Sequence, residues 1–272
     1  MRVLITGAAR GIGAALARRL AGRGARVALC GLEPETLAGV ADECGAPWRE
    51  CDVADRDAVE LAVGELAGEL GGLDVVVANA GIARQLAVVG GDPEVFERTM
   101  RVNTLGTYYT LRAAGQHVSH RRGYALAVSS LAAAVQLPLL GAYSASKAAV
   151  EALGNTLRVE LAPSGARVGV AYFAELDTDM TSRGFGTRAA AALTGGGTVT
   201  GTAPLAGAVD ALERGIARRA RRIVSPRWVG PLLPLRMAVQ PVVERHRRSH
   251  VAAALEIART EDAPFTTPQP DS

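Results

Sequence analysis

The sequence predicts an α/β fold, a doubly wound parallel sheet flanked by helices, built as a single domain with a C-terminal extension. Two observations predict it. Short runs dominated by apolar residues alternate with segments whose apolar residues recur at helical spacing. Strands without a polar face belong in a sheet covered on both sides, and the intervening helices supply the covers.

The elements follow in order. Residues 3–5 read as a buried strand, 13–21 as a helix, 26–29 as a strand and 34–43 as a helix. Further strands are expected at 48–51, 73–78, 124–129 and 167–172, separated by helices at 56–70, 93–119 and 143–161. Regularity breaks down after Met180. Residues 183–204, rich in Gly, Ala and Thr, are expected to form a mobile loop where a substrate lid would lie. An amphipathic helix at 206–218 and a last short strand at 223–224 complete a domain spanning 1–225. The extension, 226–272, ends in APFTTPQPDS, for which disorder is expected. No internal repeat is visible.

Composition bounds the function. Hydrophobic residues make up 49 % of the chain and charged residues 21 %, a balance that supports a packed core. The opening MRVLITGAARGIGAAL runs into a glycine-rich turn rather than a cleavage site, and no window offers about 20 uninterrupted apolar residues. A cytoplasmic location is the expectation. Cys30, Cys44 and Cys51 lack a CxxC pair and are expected as free thiols; the four histidines have no ligand spacing, so no metal is expected.

Residues 213–248 hold ten arginines against Glu213 and Glu244, a net +8 within a chain of net +3. No nucleic-acid motif accompanies this charge, so nucleic-acid binding is not expected. Trp228, Val229, Leu232, Leu233, Leu235 and Met237 lie among these arginines, a composition compatible with an interfacial helix. Pro231, Pro234 and Pro241 are expected to interrupt any long helix here, which favours packing against the core or another subunit over membrane adhesion.

Thr6, Gly7, Gly11 and Gly13 form TGxxxGxG between the first strand and the first helix. Such glycines let the chain turn sharply and present backbone N–H groups to a diphosphate at the positive end of the helix. Tyr143 and Lys147 form YxxxK, and a step of four on a helix puts both side chains on one face. A cation beside a phenol lowers its pKa towards the range useful for proton exchange. Lys147 is the sole lysine among 30 basic residues. An ammonium is compact and can serve two acceptors, where a guanidinium is a broad planar fork.

These motifs resemble the short-chain dehydrogenase/reductase family, whose Rossmann-type fold the element order fits. The resemblance covers residues 1–179 and places further pieces. It implies a cofactor site at Thr6, Gly7, Arg10, Gly11, Ile12, Gly13 and Gly31, with Asp52 and Val53 of CDV at the adenine and Asn79, Ala80 and Gly81 matching the family's NAG. Ser130, thirteen residues before Tyr143, matches the catalytic serine, with Ser129 as its structural neighbour. Asn103 of RVNTLG matches the fourth catalytic member, which helps hold a water beside the lysine. Thr178 is expected at the nicotinamide, although Phe173-Ala174 replaces the family's Pro-Gly shortly before it.

The resemblance implies hydride transfer between a nicotinamide and a secondary alcohol or ketone. The alternatives are an epimerase or dehydratase of the same family, and a dinucleotide-sensing regulator without turnover. NADP(H) is expected over NAD(H), because Gly31 stands where NAD enzymes carry an acid and Arg10 offers a cation; Glu33 argues the other way. Phe173, Leu176, Met180 and Phe185 suggest an apolar substrate pocket, and a homo-oligomer is implied by the resemblance alone.

Overall fold

The computed structural model describes residues 1–185, 187–195, 200–261, 263–267 and 269, without the side chains of residues 182, 184 and 185. Its sheet comprises β1 (Arg2–Thr6), β2 (Arg26–Gly31), β3 (Trp48–Glu50), β4 (Val75–Ala78), β5 (Tyr124–Val128), β6 (Arg167–Phe173) and β7 (Arg222–Ser225). The strands lie in the order β3-β2-β1-β4-β5-β6-β7, and every neighbouring pair is parallel. The order reverses between β1 and β4, which opens a crevice at the carboxyl ends of those two strands.

Strand pleating sends alternate residues to opposite faces. Ile5, Leu29, Val77 and Leu126 pack beneath α1 (Gly11–Gly22), α2 (Pro34–Cys44) and α9 (Leu205–Arg218), through Leu16, Leu37 and Leu212. Leu4, Ala28, Val76 and Ala125 pack on the other face beneath α3 (Arg56–Leu70), α5 (Gly106–Val118) and α6 (Gly141–Glu160), through Leu66, Ala114 and Val150. This two-faced burial explains why the strands carry so few polar residues. Cys30 and Cys51 are buried, Cys44 is half-buried, and all three are unbridged; burial pushes the Cys51 thiol up to about 12.

The helix expected at 93–119 is interrupted: α4 (Pro93–Met100) passes through a π-helical turn (Arg101–Leu105) into α5. Such turns are rare and cluster at functional sites. Asn103 sits inside this one.

Three expectations for the C-terminal part need correction. The loop expected at 183–204 contains α7 (Asp179–Phe185) and α8 (Arg188–Thr194), while residues 186 and 196–199 lie outside the described residues. Alanine is the best helix former, and four of them in the run RAAAALT outweigh the glycines on either side. Thr187 accepts from the Ala190 N–H, and the Glu261 carboxylate accepts from the Arg188 and Ala189 N–H groups, so the start of α8 is capped twice over.

Second, the prolines do not prevent a long helix. Pro231 falls in α10 (Val229–Leu232) and Pro234 in the connection, but α11 (Arg236–Ala258) runs 23 residues through Pro241. A proline there removes one hydrogen bond, to the carbonyl four residues back at the exposed Met237, where water can replace it. Val229 and Leu233 are buried against Leu131, Val170 and Tyr172, whereas Trp228, Leu235 and Met237 remain exposed. The extension is thus packed onto the sheet's β6–β7 side.

Third, the tail expected to be disordered is docked where it is described. The Thr266 N–H donates to the Ala83 carbonyl and its Oγ1 accepts from the Ala83 N–H, and Thr266 is 1 % exposed. The Arg84 guanidinium lies over the Phe265 ring at 5.3 Å. Composition signals weak self-structure but carries no information about a groove the rest of the fold provides. Residues 262, 268 and 270–272 lie outside the described residues.

Candidate active site

At the crevice a cavity of about 480 Å³ opens. Of the residues expected at the site, Gly7, Arg10, Gly11, Ile12, Gly31, Asp52, Val53, Asn79, Ala80, Gly81, Ser130, Tyr143, Lys147 and Thr178 line it. Thr6, Gly13 and Asn103 stand behind that lining.

The glycine turn is shaped for close backbone approach. Gly7 has φ +64°, and a Cβ there would come within 2.7 Å of the Ala80 Cα; one on Gly13 would meet the Gly7 carbonyl oxygen at 2.2 Å. The turn is tied to β4: the Thr6 hydroxyl accepts from the Asn79 and Ala80 N–H groups, and Asn79 Nδ2 donates to the Thr6 and Gly7 carbonyls. Asn79 is therefore a brace for the turn as well as part of the lining.

The first turn of α1 carries no side-chain cap and no acidic residue. By contrast α3 and α4 are capped by Asp55 and Asp92. An uncapped helix N-terminus opening onto a cavity leaves N–H groups for an anion, and a diphosphate fits that donor set.

Asp52 Oδ1 accepts from the Ala54 N–H, while Oδ2 accepts from Arg98 Nη2 at 2.8 Å. Arg98 also donates to Gln269 Oε1 at 2.9 Å, and Thr266, Thr267 and Gln269 line the same cavity. Sequence reasoning missed these four residues. Arg98 is remote from Asp52 in the chain and belongs to no spacing motif, so only the folded arrangement reveals the link.

At the other end, Tyr143 and Lys147 lie one turn apart on α6, with the ammonium 5.7 Å from the phenol ring centroid. Lys147 is 4 % exposed, donates to the Val128 carbonyl at 3.0 Å, and is pushed down by burial to about 8. Burial holds the Tyr143 phenol above its ordinary value, against a smaller opposing effect from its hydrogen bond with Ser130. The expected lowering of the phenol by Lys147 is thus outweighed by burial. Among the described residues no carboxylate offsets the burial of Lys147, so its charge is weakened, and burial keeps the phenol protonated.

The two serines separate cleanly. Ser129 is buried with its hydroxyl donating to the Lys147 carbonyl, whereas the Ser130 hydroxyl accepts from the Ala132 N–H, donates to the Phe173 carbonyl at 3.4 Å and lies near enough to Tyr143 to favour its ionised form. Asn103 is completely buried. Its Oδ1 accepts from the Ile82 N–H at 2.7 Å, and Nδ2 donates to the Ile82 carbonyl and to Ser146 Oγ. Both Nδ2 donors and one acceptor site of Oδ1 are thus engaged, joining the segment after β4 to Ser146 of α6. Gly81 fits between the two: a Cβ there would meet Lys147 Nζ at 3.1 Å and Asn103 Oδ1 at 3.2 Å.

Where Phe173-Ala174 replaces Pro-Gly, β6 continues through Phe173 and the Ala174 N–H donates to the Ser225 carbonyl of β7. Phe173, Leu176 and Met180 line the cavity, while the side chain of Phe185 lies outside the described residues. Beyond them Trp228, just before α10, Leu232 of α10, and Val239 and Val243 of α11 form a wall that sequence reasoning did not place at the site. Among the described residues no cluster of His, Cys, Asp and Glu could hold a metal ion, and no helix is long and apolar enough to cross a membrane.

Comparison with known proteins agrees with this geometry. The family model for short chain dehydrogenases matches residues 1–188. An uncharacterized oxidoreductase of Mycobacterium tuberculosis is 30 % identical over 254 residues, 90 % of this chain and 96 % of its own length. The 2,3-dihydro-2,3-dihydroxybenzoate dehydrogenase of Bacillus subtilis is 34 % identical over 182 residues, 65 % of this chain and 70 % of its own. Another uncharacterized oxidoreductase, from Mycobacterium bovis, is 34 % identical, but this chain spans only 56 % of its length. Among solved structures, a dehydrogenase/reductase from Sinorhizobium meliloti superposes with a TM-score of 0.63, at 35 % identity over 66 % of this chain and 73 % of that one. With the glycine turn, the braced NAG segment and the Ser130–Tyr143–Lys147 cluster in one cavity, the chain belongs to the short-chain dehydrogenase/reductase family of oxidoreductases.

Proposed function

We propose that this chain is an NAD(P)-dependent oxidoreductase interconverting a secondary alcohol and a ketone, with NADP(H) as the preferred coenzyme. The observation that carries the reading is the meeting of Ser130, Tyr143 and Lys147 in the cavity that also holds the glycine turn. When bound, the nicotinamide would supply or accept the hydride. The chain's residues do the rest. The turn from Gly7 to Gly13 and the α1 N-terminus hold the diphosphate, Asp52 and Val53 the adenine, and Thr178 the carboxamide.

In the reduction direction Ser130 donates to the substrate oxygen and Tyr143 gives up its phenolic proton as charge grows there. A phenol kept protonated by burial is ready for that donation. Lys147 orients the ribose and, once an anion draws its charge up again, eases departure of the Tyr143 proton. Asn103 acts through position, by holding Ile82 and Ser146. Apolar Phe173, Leu176 and Met180 favour an apolar substrate. The exposed Phe96, Leu105 and Tyr108 on α4, the π turn and α5 fit a homo-oligomer.

The test is Tyr143→Phe, which removes only the proton-transferring oxygen. Ketone-dependent NADPH oxidation should disappear while coenzyme affinity stays within a few-fold. Residual activity above about a tenth of the wild-type rate, roughly 1.4 kcal/mol of barrier, would remove Tyr143 from the role.

A further inference from the structure

Beyond the catalytic cluster, α11 presents the cavity with a graded face. Val239, Val243, His246 and Arg247 recur at helical spacing and all line the cavity. The helix is anchored beside the cavity: the Gln136 N–H donates to Gln240 Oε1, and Val135 and Leu137 on either side of Gln136 line the cavity. From there the wall is valine first and cation second, with Arg247 roughly 10 Å along the helix axis from Gln240 at about 1.5 Å per residue.

Of the cations at this cavity, Lys147 is buried at the catalytic end on the Val128 carbonyl, and the others differ in how they are paired. Arg10, Glu33, Asp52 and Asp179 also line the cavity, and each is joined in an ion pair, Arg10 with Glu33 and Asp179 and Asp52 with Arg98. Arg236, at the start of α11, is paired with Glu151. Among the described residues Arg247 makes no ion pair; it donates through Nη1 to the Leu193 carbonyl at 3.2 Å. Glu244, one turn away, accepts from Gln240 instead. Arg247 is half-buried, so its charge is only partly screened by water. A guanidinium with donors to spare at the end of an apolar wall is a receptor for a carboxylate. A single positive charge balances one carboxylate, whereas a phosphate near −2 would remain half uncompensated.

We propose that the substrate is an amphipathic oxo or hydroxy carboxylic acid, its reacting carbon at Ser130 and Tyr143, its apolar body along Val239 and Val243, and its carboxylate on Arg247. The proposal rests on the reading of this cavity as a site of alcohol–ketone chemistry. It names the end group that reading leaves open.

The experiment compares straight-chain oxo acids of increasing length with their methyl esters, measuring kcat/KM with NADPH. At lengths that reach Arg247 the acid should exceed its ester by at least ~10-fold. Arg247→Gln should bring that ratio close to one, Arg247→Lys should keep most of it, and Arg247→Glu should favour an amine-ended ketone over the acid. Retention of the preference by Arg247→Lys and Arg247→Glu's reversed choice separate charge recognition from damage to the fold. An acid no better than its ester at any length, or a preference that survives Arg247→Gln, overturns the proposal. Should no ketone be reduced, displacement of an apolar fluorescent dye by the same pairs replaces turnover. Tighter displacement by the acid, lost in Arg247→Gln, then upholds the binding site while the hydride-transfer reading fails; equal displacement overturns both.

Discussion

Arg10 and Glu33 are joined at two points inside the cavity: Nε lies 2.6 Å from Oε2, and Nη2 donates to Oε1. Asp179 adds a third contact at 3.2 Å, and the hydrogen bonding with Glu33 holds the Arg10 guanidinium above its ordinary pKa. The cation counted on for a 2′-phosphate is therefore already engaged. A phosphate on Arg10 must meet the Glu33 carboxylate, so this pair tunes coenzyme choice from both sides.

Glu33→Gln keeps the shape and removes the competing charge. The ratio of kcat/KM for NADPH to that for NADH should rise by at least ~10-fold, about 1.4 kcal/mol. Gly31→Asp should move it the other way by a similar factor. A Cβ at Gly31 meets only Leu37 Cδ1 at 3.4 Å and Ala9 atoms at 3.5 Å, so the substitution can be accommodated. Steady-state kinetics with both coenzymes decide the matter; a ratio unmoved in both variants would place selectivity elsewhere.

Lys147 gives a pH signature. Burial disfavours the charge of its ammonium and pushes its pKa down to about 8. If the coenzyme binds the charged form, its complex holds the proton more tightly, so binding draws a proton in above that pH. The dissociation constant should be flat below pH 8 and then weaken with rising pH, by up to about tenfold per unit. Lys147→Arg should flatten the curve, since a guanidinium stays charged throughout, and should also cripple turnover. Coenzyme fluorescence titrations from pH 6 to 10 read both. A flat wild-type curve would detach Lys147 from coenzyme binding.

Gly81→Ala tests the spacing of the catalytic end. The added methyl would press on Lys147 Nζ and Asn103 Oδ1, each within 3.2 Å, and both side chains are held by hydrogen bonds at their tips. Turnover should fall by about tenfold while stability changes by less than ~1 kcal/mol, because the lysine tip can shift without opening a cavity. Chemical denaturation beside initial rates distinguishes this from general loss of fold.

The glycine turn, YxxxK and the strand ends were legible because each imposes a fixed spacing in the chain. TGxxxGxG needs a strand, a turn and a helix start in immediate succession, and β1 and α1 supply them. Ser130 was reachable by its distance from Tyr143. Arg98, Gln269 and the α11 wall were not, since their approach to the site depends on how α4, the tail and the extension pack. The π turn was hidden as well: residues 93–119 keep helical periodicity on both sides of one inserted residue, and periodicity averages over such a defect. The α8 helix is hard to read from the sequence because the glycines flanking it obscure six residues of strong helix propensity, Arg188 to Leu193.

The tail offers the last prediction. Arg98 stands between Asp52 and Gln269, so the carboxylate assigned to the adenine is steadied by a guanidinium that the tail in turn steadies. Thr266 fixes the tail through two hydrogen bonds to Ala83, two residues after the NAG segment. Truncation after Glu261 would remove the tail's part of the cavity wall and leave Arg98 held by Asp52 without the Gln269 contact. Coenzyme KM should then rise several-fold while kcat changes by less than about twofold, because ground-state and transition-state binding weaken together and no proton-transferring group is touched. Arg98→Ala should raise KM in the full-length chain by a similar factor and add little in the truncated one, as expected for groups acting through one network. Additive effects would mean that tail and Arg98 serve the coenzyme independently. An unchanged KM on truncation would mean that the tail covers the cleft without contributing to it.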